Sequence, residues 1–243
     1  MQQRARKIGD KQERRQAILT AAWTAFLATS YESVTMAGVA SQVGLAKGTL
    51  YLYFRTKEEL FLALVMEQLA AWFDAVDAAL PQIGSGHVDD VAQLIGDSLR
   101  VRHGLTRLLA ILSTVLEQNV SVDAALHFKQ MLLLHLGQTG QRLETCLPRL
   151  EPGDGAHVLL RIHALIVGLQ HLADPAPVVR HVMEQPGMQV FQIDFERELA
   201  ECVQALLHGL YWKTEAEQHE VSGDGRDRIR GWKGGAPTAR QWG

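Results

Sequence analysis

Apolar residues recur at helical spacing along nearly the whole chain, and this feature limits the possible folds more than any other. Near the start, Ile18, Ala22 and Phe26 lie four residues apart, so they share one face of a helix. We find no stretch in which apolar and polar residues alternate as they do in a half-buried strand. The sequence therefore predicts an all-α fold.

Glycine, proline and capping residues divide this helical pattern into segments. The first helix is predicted from about Asp10 to Thr29, and Thr35 is suited to cap a short second helix that ends near Val43. Thr56 and Glu59 form a capping-box pattern at the start of a long fourth helix. Further helices are predicted at 46–53, 88–103, 105–118, 122–146, 155–173, 176–184 and 191–212.

These segments suggest three regions. Residues 1–60 are predicted to form a small head of three helices. The long fourth helix joins this head to a helical body over residues 61–212. From about Lys213 the chain is polar and rich in glycine and has no apolar period, so residues 213–243 are predicted to be a disordered tail.

The charge is distributed unevenly between head and body. Residues 1–60 carry nine Lys/Arg and five Asp/Glu, a net charge of +4, while residues 61–243 carry fifteen and twenty-two, a net charge of −7. A basic head on an acidic body indicates that only the head approaches a polyanion such as DNA. On charge alone, a chance fluctuation is the alternative.

Several protein classes are disfavoured by what the sequence lacks. No apolar run reaches the roughly 18 residues of a membrane helix, and the polar, basic N-terminus does not resemble a secretory signal. Cys146 and Cys202 are far apart, as expected for thiols in a reducing cytoplasm. There is no P-loop, GxGxxG, GxSxG or HExxH motif. We therefore predict a cytoplasmic protein that is not an enzyme and needs no cofactor and no metal.

The stretch from Thr35 to Leu60 has the properties of two short helices joined by a tight turn at Gly44. Val39 and the small Ala40 are placed to pack across this turn against Leu50 and Phe54. The latter pair is predicted to lie against the first helix at Phe26 and Leu27. The arrangement is that of a helix-turn-helix.

The outward side of the third helix carries residues suited to a DNA groove. Lys47, Gly48 and Thr49 offer a cation, a close backbone approach, and a hydroxyl with a methyl group for base edges. Tyr51, Tyr53 and Lys57 are placed for phosphates, as is Thr35 with the free N–H groups of the second helix. A basic arm is available to extend this contact, comprising Arg4, Arg6, Lys7, Lys11, Arg14 and Arg15.

The pattern T-x-x-x-V-A-x-x-x-G-L-A-K-G-T-L-Y-x-Y-F-x-x-K-E-x-L in this stretch resembles the TetR family of bacterial transcription regulators. The resemblance covers roughly residues 10–60, with departures at Gly38, Val43 and Leu45 that concern packing. It implies a third helix in the major groove, with base contacts from Lys47, Gly48 and Thr49 and phosphate contacts from Tyr51, Tyr53 and Lys57. It also implies a C-terminal domain that dimerises and holds an inducer pocket.

The helix predicted at 122–146 provides candidates for such a pocket. Residues 131–136 are apolar nearly all round, which is typical of a helix surrounded by protein. His127, Met131 and His135 share one face of it and, together with Trp72, are candidates for a pocket wall with polar groups that can bond a ligand. The alternative is that these residues belong to an ordinary core.

Two further helices carry a candidate dimer interface. The last one has an apolar stripe, and the helix before it has two small residues that permit close approach. Packing within one subunit is the alternative. The predicted interface residues are Ala164, Gly168, Phe195, Leu199, Cys202, Leu206 and Leu210.

Together these features favour a homodimeric repressor that binds a palindromic double-stranded DNA operator. An apolar small molecule in the body would release it by moving the fourth helix, taken as the only rigid connection to the head. Two alternatives stay open: a DNA-binding regulator without a small-molecule effector, and a helical interaction protein with a degenerate head.

Overall fold

The computed structural model describes residues 2–222, with side chains for residues 9–212. Over this part of the chain the fold is all-α, as predicted, with ten α-helices and no strand. The helices are α1 Gln2–Ala28, α2 Met36–Gln42, α3 Lys47–Leu50, α4 Lys57–Ala79, α5 Val88–Arg100, α6 His103–Ala110, α7 Val122–Cys146, α8 Asp154–Ala173, α9 Pro177–Met183 and α10 Phe195–Ser222.

Some helix boundaries differ from the prediction for identifiable reasons. The helix α3 ends at Leu50, because the N–H groups of Leu52 and Tyr53 bond to carbonyls three residues back and tighten the chain into a turn. The predicted segment 105–118 divides into α6 and a 3₁₀ turn, Leu116–Asn119. The last helix begins four residues late, at Phe195, and then continues through 213–222.

That continuation corrects the start of the predicted tail. Residues 213–222 contain Lys, Glu, Ala and Gln, which favour a helix, and neither Gly nor Pro before Gly223. The rest of the predicted tail, 223–243, lies outside the described residues.

The head is built from α1 to α3 around a small apolar core. Thr35 caps α2 by accepting a hydrogen bond from the N–H of Gly38 at 3.1 Å, and Gly44 adopts a φ of +68° where the chain turns into α3. Leu50 and Phe54 are buried, as predicted. Leu27, expected beneath them, is instead exposed and faces Gly104 of α6.

The body forms around α4, whose side chains face α5, α6 and α7. Glycines allow α7 and α8 to cross closely: a Cβ placed on Gly140 would lie 2.7 Å from the backbone nitrogen of Ala156. The helix α10 packs on α5 and buries Leu199, Val203 and Leu207 within the subunit.

Two sequence expectations fail in the body. Leu199 is only 2% exposed inside one subunit, so the prediction that it needs a partner subunit is wrong. The expectation that residues 131–136 are surrounded on every side is also wrong within the subunit, because Leu133 is 74% exposed and Leu134 is exposed beside it. Its helix packs through the face that carries Phe128, Leu132 and Leu136.

Candidate DNA-binding head and ligand cavity

The third helix places its predicted base-contacting residues together on the outside of the head. Lys47 and Gly48 are exposed and Thr49 is half-buried. A Cβ placed on Gly48 would meet no atom within 4 Å, so the backbone there is open to an incoming surface. The three positions are thus available to a groove, although DNA contact by any of them is a prediction.

The predicted phosphate-contacting residues are in different environments. Tyr51 is exposed and Tyr53 is half-buried against the head core. The ammonium of Lys57 lies 3.9 Å from the centre of the Tyr31 ring and donates to the carbonyl of Glu32 at 3.5 Å. Burial lowers the pKa of Lys57, while Glu32 and Glu58 oppose that shift. Lys57 is therefore a positioned cation, and a cation–π contact fixes its location.

Two exposed residues near α3 were not singled out from the sequence. Leu52 is 78% exposed between the two tyrosines, and Arg55 is exposed just before α4. Leu52 occupies the variable position of the Y-x-Y pattern, so the pattern itself gives no signal for it. Both side chains extend the surface that α3 presents.

A set of hydrogen bonds joins the start of α4 to the segment before α7. Thr56 donates through Oγ1 to the carbonyl of Asn119 at 2.9 Å, and Asn119 donates through Nδ2 to Glu58 at 3.2 Å. The Oε1 atom of Glu59 accepts from the N–H and the hydroxyl of Ser121 at 3.2 and 2.8 Å. We call Thr56, Glu58, Glu59, Asn119 and Ser121 the junction.

The predicted capping box at α4 is present only in part. Thr56 accepts from the N–H of Glu59 at 3.0 Å, as expected. The carboxylate of Glu59 instead accepts from the N–H of Arg55 and from Ser121. Burial alone would raise the pKa of Glu59, but its hydrogen bonds from Ser121 and Arg55 lower it overall. Glu59 therefore holds α7 to α4 as a carboxylate.

A second connection links the head directly to α6. Arg107 donates to the carbonyl of Thr29 at 2.6 Å and lies 4.5 Å from the centre of the Phe26 ring. The side chain of Trp23 packs so closely on Gly104 that a Cβ there would overlap it. The prediction that α4 is the only rigid connection to the head is therefore wrong.

The body contains a cavity of about 150 Å³ between α4 and α8. Its wall is almost entirely apolar, and Lys129 is the one charged residue among those that line it. The lining residues are Leu69, Trp72, Phe73, Leu99, Leu109, Leu112, Phe128, Lys129, Leu132, Leu136, Leu159, Leu160, Ile162, His163 and Ile166.

The cavity uses a different face of α7 from the one expected. Trp72 lines it, with its indole N–H donating to Ser98 at 2.8 Å, but His127, Met131 and His135 do not. His127 is exposed. His135 stacks on Phe73, with ring centres 5.0 Å apart, and its buried Nδ1 has no hydrogen-bond partner among the described residues.

Phe128, Lys129, Leu132 and Leu136 line the cavity from α7 instead. This face is offset by about one residue, or roughly 100° around a helix, from the predicted stripe. Its spacing is visible in the sequence, but both faces repeat at the same four-residue interval, so periodicity alone does not rank them.

Lys129 and His163 supply polar groups at the cavity wall. Lys129 pairs with Glu117 of the 3₁₀ turn at 2.6 Å. Burial lowers the pKa of His163, Lys129 lowers it further, and Glu117 opposes both. An occupant of the cavity would therefore meet one lysine ammonium and one neutral imidazole.

The predicted interface residues divide between surface and core. Ala164 and Gly168 are exposed on α8, while Phe195, Cys202, Leu206 and Leu210 are half-buried along α10. On α8, Leu160 and Leu172 are 44% and 56% exposed and continue the line of Ala164 and Gly168 at four-residue intervals. The result is one exposed apolar face, which we call the α8 stripe.

By length and composition α8 is also apolar enough to cross a membrane, and only 22% of its apolar window is buried in the subunit. One such helix is weak support for a membrane span, because helices at protein interfaces have the same composition.

Among the described residues there is no group of three metal-ligating side chains, and both cysteines are free.

The fold and the head together define a DNA-binding transcription regulator: a helix-turn-helix exposes α3, and a separate helical body follows. Residues 18–64 match the bacterial regulatory proteins of the tetR family, and residues 66–213 match the tetracyclin repressor-like C-terminal domain. The chain therefore belongs to the TetR family, whose members are DNA-binding regulators and not enzymes.

Individual relatives are distant. The chain is 31% identical over 126 residues to the nucleoid occlusion factor SlmA of Mannheimia succiniciproducens, a match that spans 50% of this chain and 58% of that protein. This chain thus spans less than two thirds of the length of that relative.

Among solved structures, the chain resembles the fatty acid degradation regulator FadR of Bacillus halodurans, with 16% identity and a TM-score of 0.50 over 81% of this chain and 97% of that one. It also resembles FadR of Bacillus subtilis, solved in complex with stearoyl-CoA, with 19% identity and a TM-score of 0.51 over 79% and 96%. Both likenesses concern the fold.

Proposed function

We propose that the protein is a homodimeric repressor that binds a palindromic operator and is released by a small apolar molecule in the body. One observation carries the proposal: α4 contributes to both the junction and the cavity. Its first turn holds Glu58 and Glu59 in the junction, and Leu69, Trp72 and Phe73 line the cavity further along. A displacement of α4 by a ligand therefore acts on the head.

The release mechanism depends on the distance between two recognition helices. Operator half-sites about one DNA turn (~34 Å) apart bind a dimer only when its heads have the matching separation. Because Arg107 also ties the head to α6, a ligand must move α4 relative to α6 to reorient the head. By linkage, ligand and DNA then weaken each other's binding by the same factor, typically about 1–3 kcal/mol.

The α8 stripe supports the dimer. Four residues in line on one helix, two of them leucines and two of them small, leave an apolar face that suits a second copy across a two-fold axis. The half-buried residues of α10, among them Leu206 and Leu210, lie on the adjoining helix. Two such helices from each subunit would form a four-helix bundle.

The proposal can be tested without knowing the operator in advance. Genomic fragments bound by the full chain would be selected, and small molecules would then be screened for release of the best fragment. We expect an apolar compound to raise the melting temperature of the free protein and to weaken its DNA binding. Selection of fragments that no compound releases would contradict ligand control and leave the DNA-binding role intact.

A regulator without a small-molecule effector is the second candidate. It is favoured by the match to a protein named as a nucleoid occlusion factor. Filling the cavity with Leu136→Phe distinguishes the two, because Leu136 lines the cavity and the added ring takes up ligand space. If the protein has no small-molecule effector, Leu136→Phe should regulate its operator as the unsubstituted protein does. If the protein is a ligand-released repressor, the variant should no longer be released from the operator by the ligand.

We expect Lys57→Ala to weaken binding to all DNA sequences, because the Lys57 ammonium is held on Tyr31 at the start of α4 as a phosphate contact. Loss of one such contact should reduce the slope of log K against log salt by about one. Tyr51→Phe and Tyr53→Phe should also weaken binding without changing sequence preference. Unchanged operator affinity in all three variants would remove these assignments.

Changes at the proposed base contacts should behave differently. Lys47→Ala and Thr49→Ala are expected to alter sequence preference, at a cost of about 1–3 kcal/mol for each lost base contact. The measurement compares the operator with random DNA at one salt concentration. Equal losses of affinity on both would show that these residues contact the backbone.

A further inference from the structure

The polar groups of the cavity wall indicate what kind of molecule it takes. Lys129 is the one charged residue in the wall, and its partner Glu117 is not part of the wall. His163 is the other polar group facing the space, since the indole N–H of Trp72 is already bonded to Ser98. A lysine ammonium only donates hydrogen bonds, whereas a neutral imidazole donates through one nitrogen and accepts through the other. An occupant therefore meets an apolar wall with one cationic donor, Lys129, and one imidazole that can donate or accept.

The size of the cavity limits the apolar part of the occupant. A cavity of about 150 Å³ lined by leucine, isoleucine and phenylalanine admits a molecule of about the size of benzene. The side chain of Lys129 is 57% exposed, so the ammonium stands where the cavity meets solvent. A polar group at one end of the ligand can therefore reach Lys129 while the rest is enclosed.

We infer that the cavity takes a small apolar carboxylate, and that Lys129 changes its partner from Glu117 to the ligand's carboxylate when that ligand enters. This rests on the proposed function and adds to it the class of effector and the first step of its action. A purely apolar or alcoholic ligand fits the wall equally well, but it has no negative charge that could replace Glu117 as the partner of Lys129.

The position of Glu117 connects this exchange to the head. Glu117 lies in the 3₁₀ turn Leu116–Asn119, two residues before Asn119, which bonds to Thr56 and Glu58 of the junction. Ser121 comes two residues after Asn119, bonds to Glu59 and caps α7. Freeing Glu117 loosens the segment that holds the start of α4. The same ion pair thus joins the cavity wall to the head through a short piece of chain.

The test uses matched ligand pairs on the full-length protein. Benzoate and benzyl alcohol have the same ring and differ at the carboxylate, and hexanoate with hexanol provides a flexible pair. Binding is measured by calorimetry and by the shift of the melting temperature. We expect the acids to bind about fivefold more tightly than the alcohols, the amount that a partly exposed ion pair of about 1 kcal/mol supplies.

Three variants separate a binding role of Lys129 from a structural one. Lys129→Met should abolish the preference for the acid, and Lys129→Arg should retain it. Glu117→Gln should increase benzoate affinity about fivefold, because the carboxylate no longer competes for Lys129, and leave benzyl alcohol affinity unchanged. Arg180→Met is the control, since Arg180 also pairs with a carboxylate, Asp174 at 2.7 Å, but does not line the cavity.

The possible failures are distinct. Equal binding of acid and alcohol, unaffected by Lys129→Met, would overturn the carboxylate class and leave the proposed function standing. Tighter acid binding that Glu117→Gln does not increase would overturn the partner exchange. If neither pair binds to any variant, the inferred ligand class is wrong, and release of the operator by other compounds then decides the proposed function separately.

Discussion

Gly168→Glu is expected to convert the proposed dimer into a monomer and to reduce affinity for the proposed operator by about 10²–10⁴-fold, the gain that joining two binding modules provides. Gly168 is exposed at the centre of the α8 stripe, and a Cβ there meets no atom within 4 Å in the subunit. The substitution therefore leaves the subunit core intact. Across a two-fold axis, however, it places a carboxylate in an apolar contact near its own symmetry mate.

Sedimentation velocity and operator titration on the same sample test this prediction. Gly137→Glu is the matched control, because Gly137 is also an exposed helical glycine with open space around its Cβ, but on α7. A dimer that survives Gly168→Glu would place the interface elsewhere. If Gly137→Glu splits it instead, the interface lies along α7, where Leu133 and Leu134 are exposed.

Although Leu199 is one of the predicted interface residues, Leu199→Glu does not test the dimer. Leu199 is buried within the subunit on the helix that packs on α5 and α8, so a glutamate there would damage the fold of each subunit. A stripe of apolar residues on a helix shows that one face is covered, but the covering helix is set by tertiary packing. The sequence alone could not distinguish α5 of the same chain from a partner subunit.

The head could be predicted more fully than the body because its signals are local. The Thr35 cap, the Gly44 turn and the burial of Val39, Ala40 and Leu50 each follow from residue type within a few positions, and the structure confirms them. In the body, the face of α7 that lines the cavity depends on how α4 and α8 pack on it. Consequently Trp72 was found, whereas Lys129 and His163 were missed.

The head–body connection was missed for a similar reason. Arg107 and Thr29 are 78 positions apart, and Glu59 and Ser121 are 62 apart. A capping box predicts that the Glu59 carboxylate accepts a hydrogen bond from the nearby N–H of Thr56. In the structure the carboxylate instead accepts one from the hydroxyl of Ser121, far along the chain. Hydrogen bonds between remote segments have no periodicity in the sequence, so they become visible only once the fold is known.

Gly155→Ala should lower the free energy of unfolding by about 3 kcal/mol, at the upper end of what overpacking costs. A Cβ on Gly155 would overlap the carbonyl oxygen of Gly140, where α7 and α8 cross. Both sides of this contact are backbone, so no side chain can rotate away. For a chain of this size the melting temperature should fall by roughly 6–12 °C.

The crossing also sets the position of α8, which contributes Leu159, Ile162 and His163 to the cavity. Below its melting temperature, Gly155→Ala should therefore bind cavity ligands more weakly while the head still reads DNA. Gly137→Ala is the control on α7, because its Cβ meets nothing within 4 Å and alanine favours a helix over glycine by about 0.5–1 kcal/mol. If Gly155→Ala melted as the unsubstituted protein does, the close crossing would not exist, and the cavity wall on its α8 side would have to be placed differently.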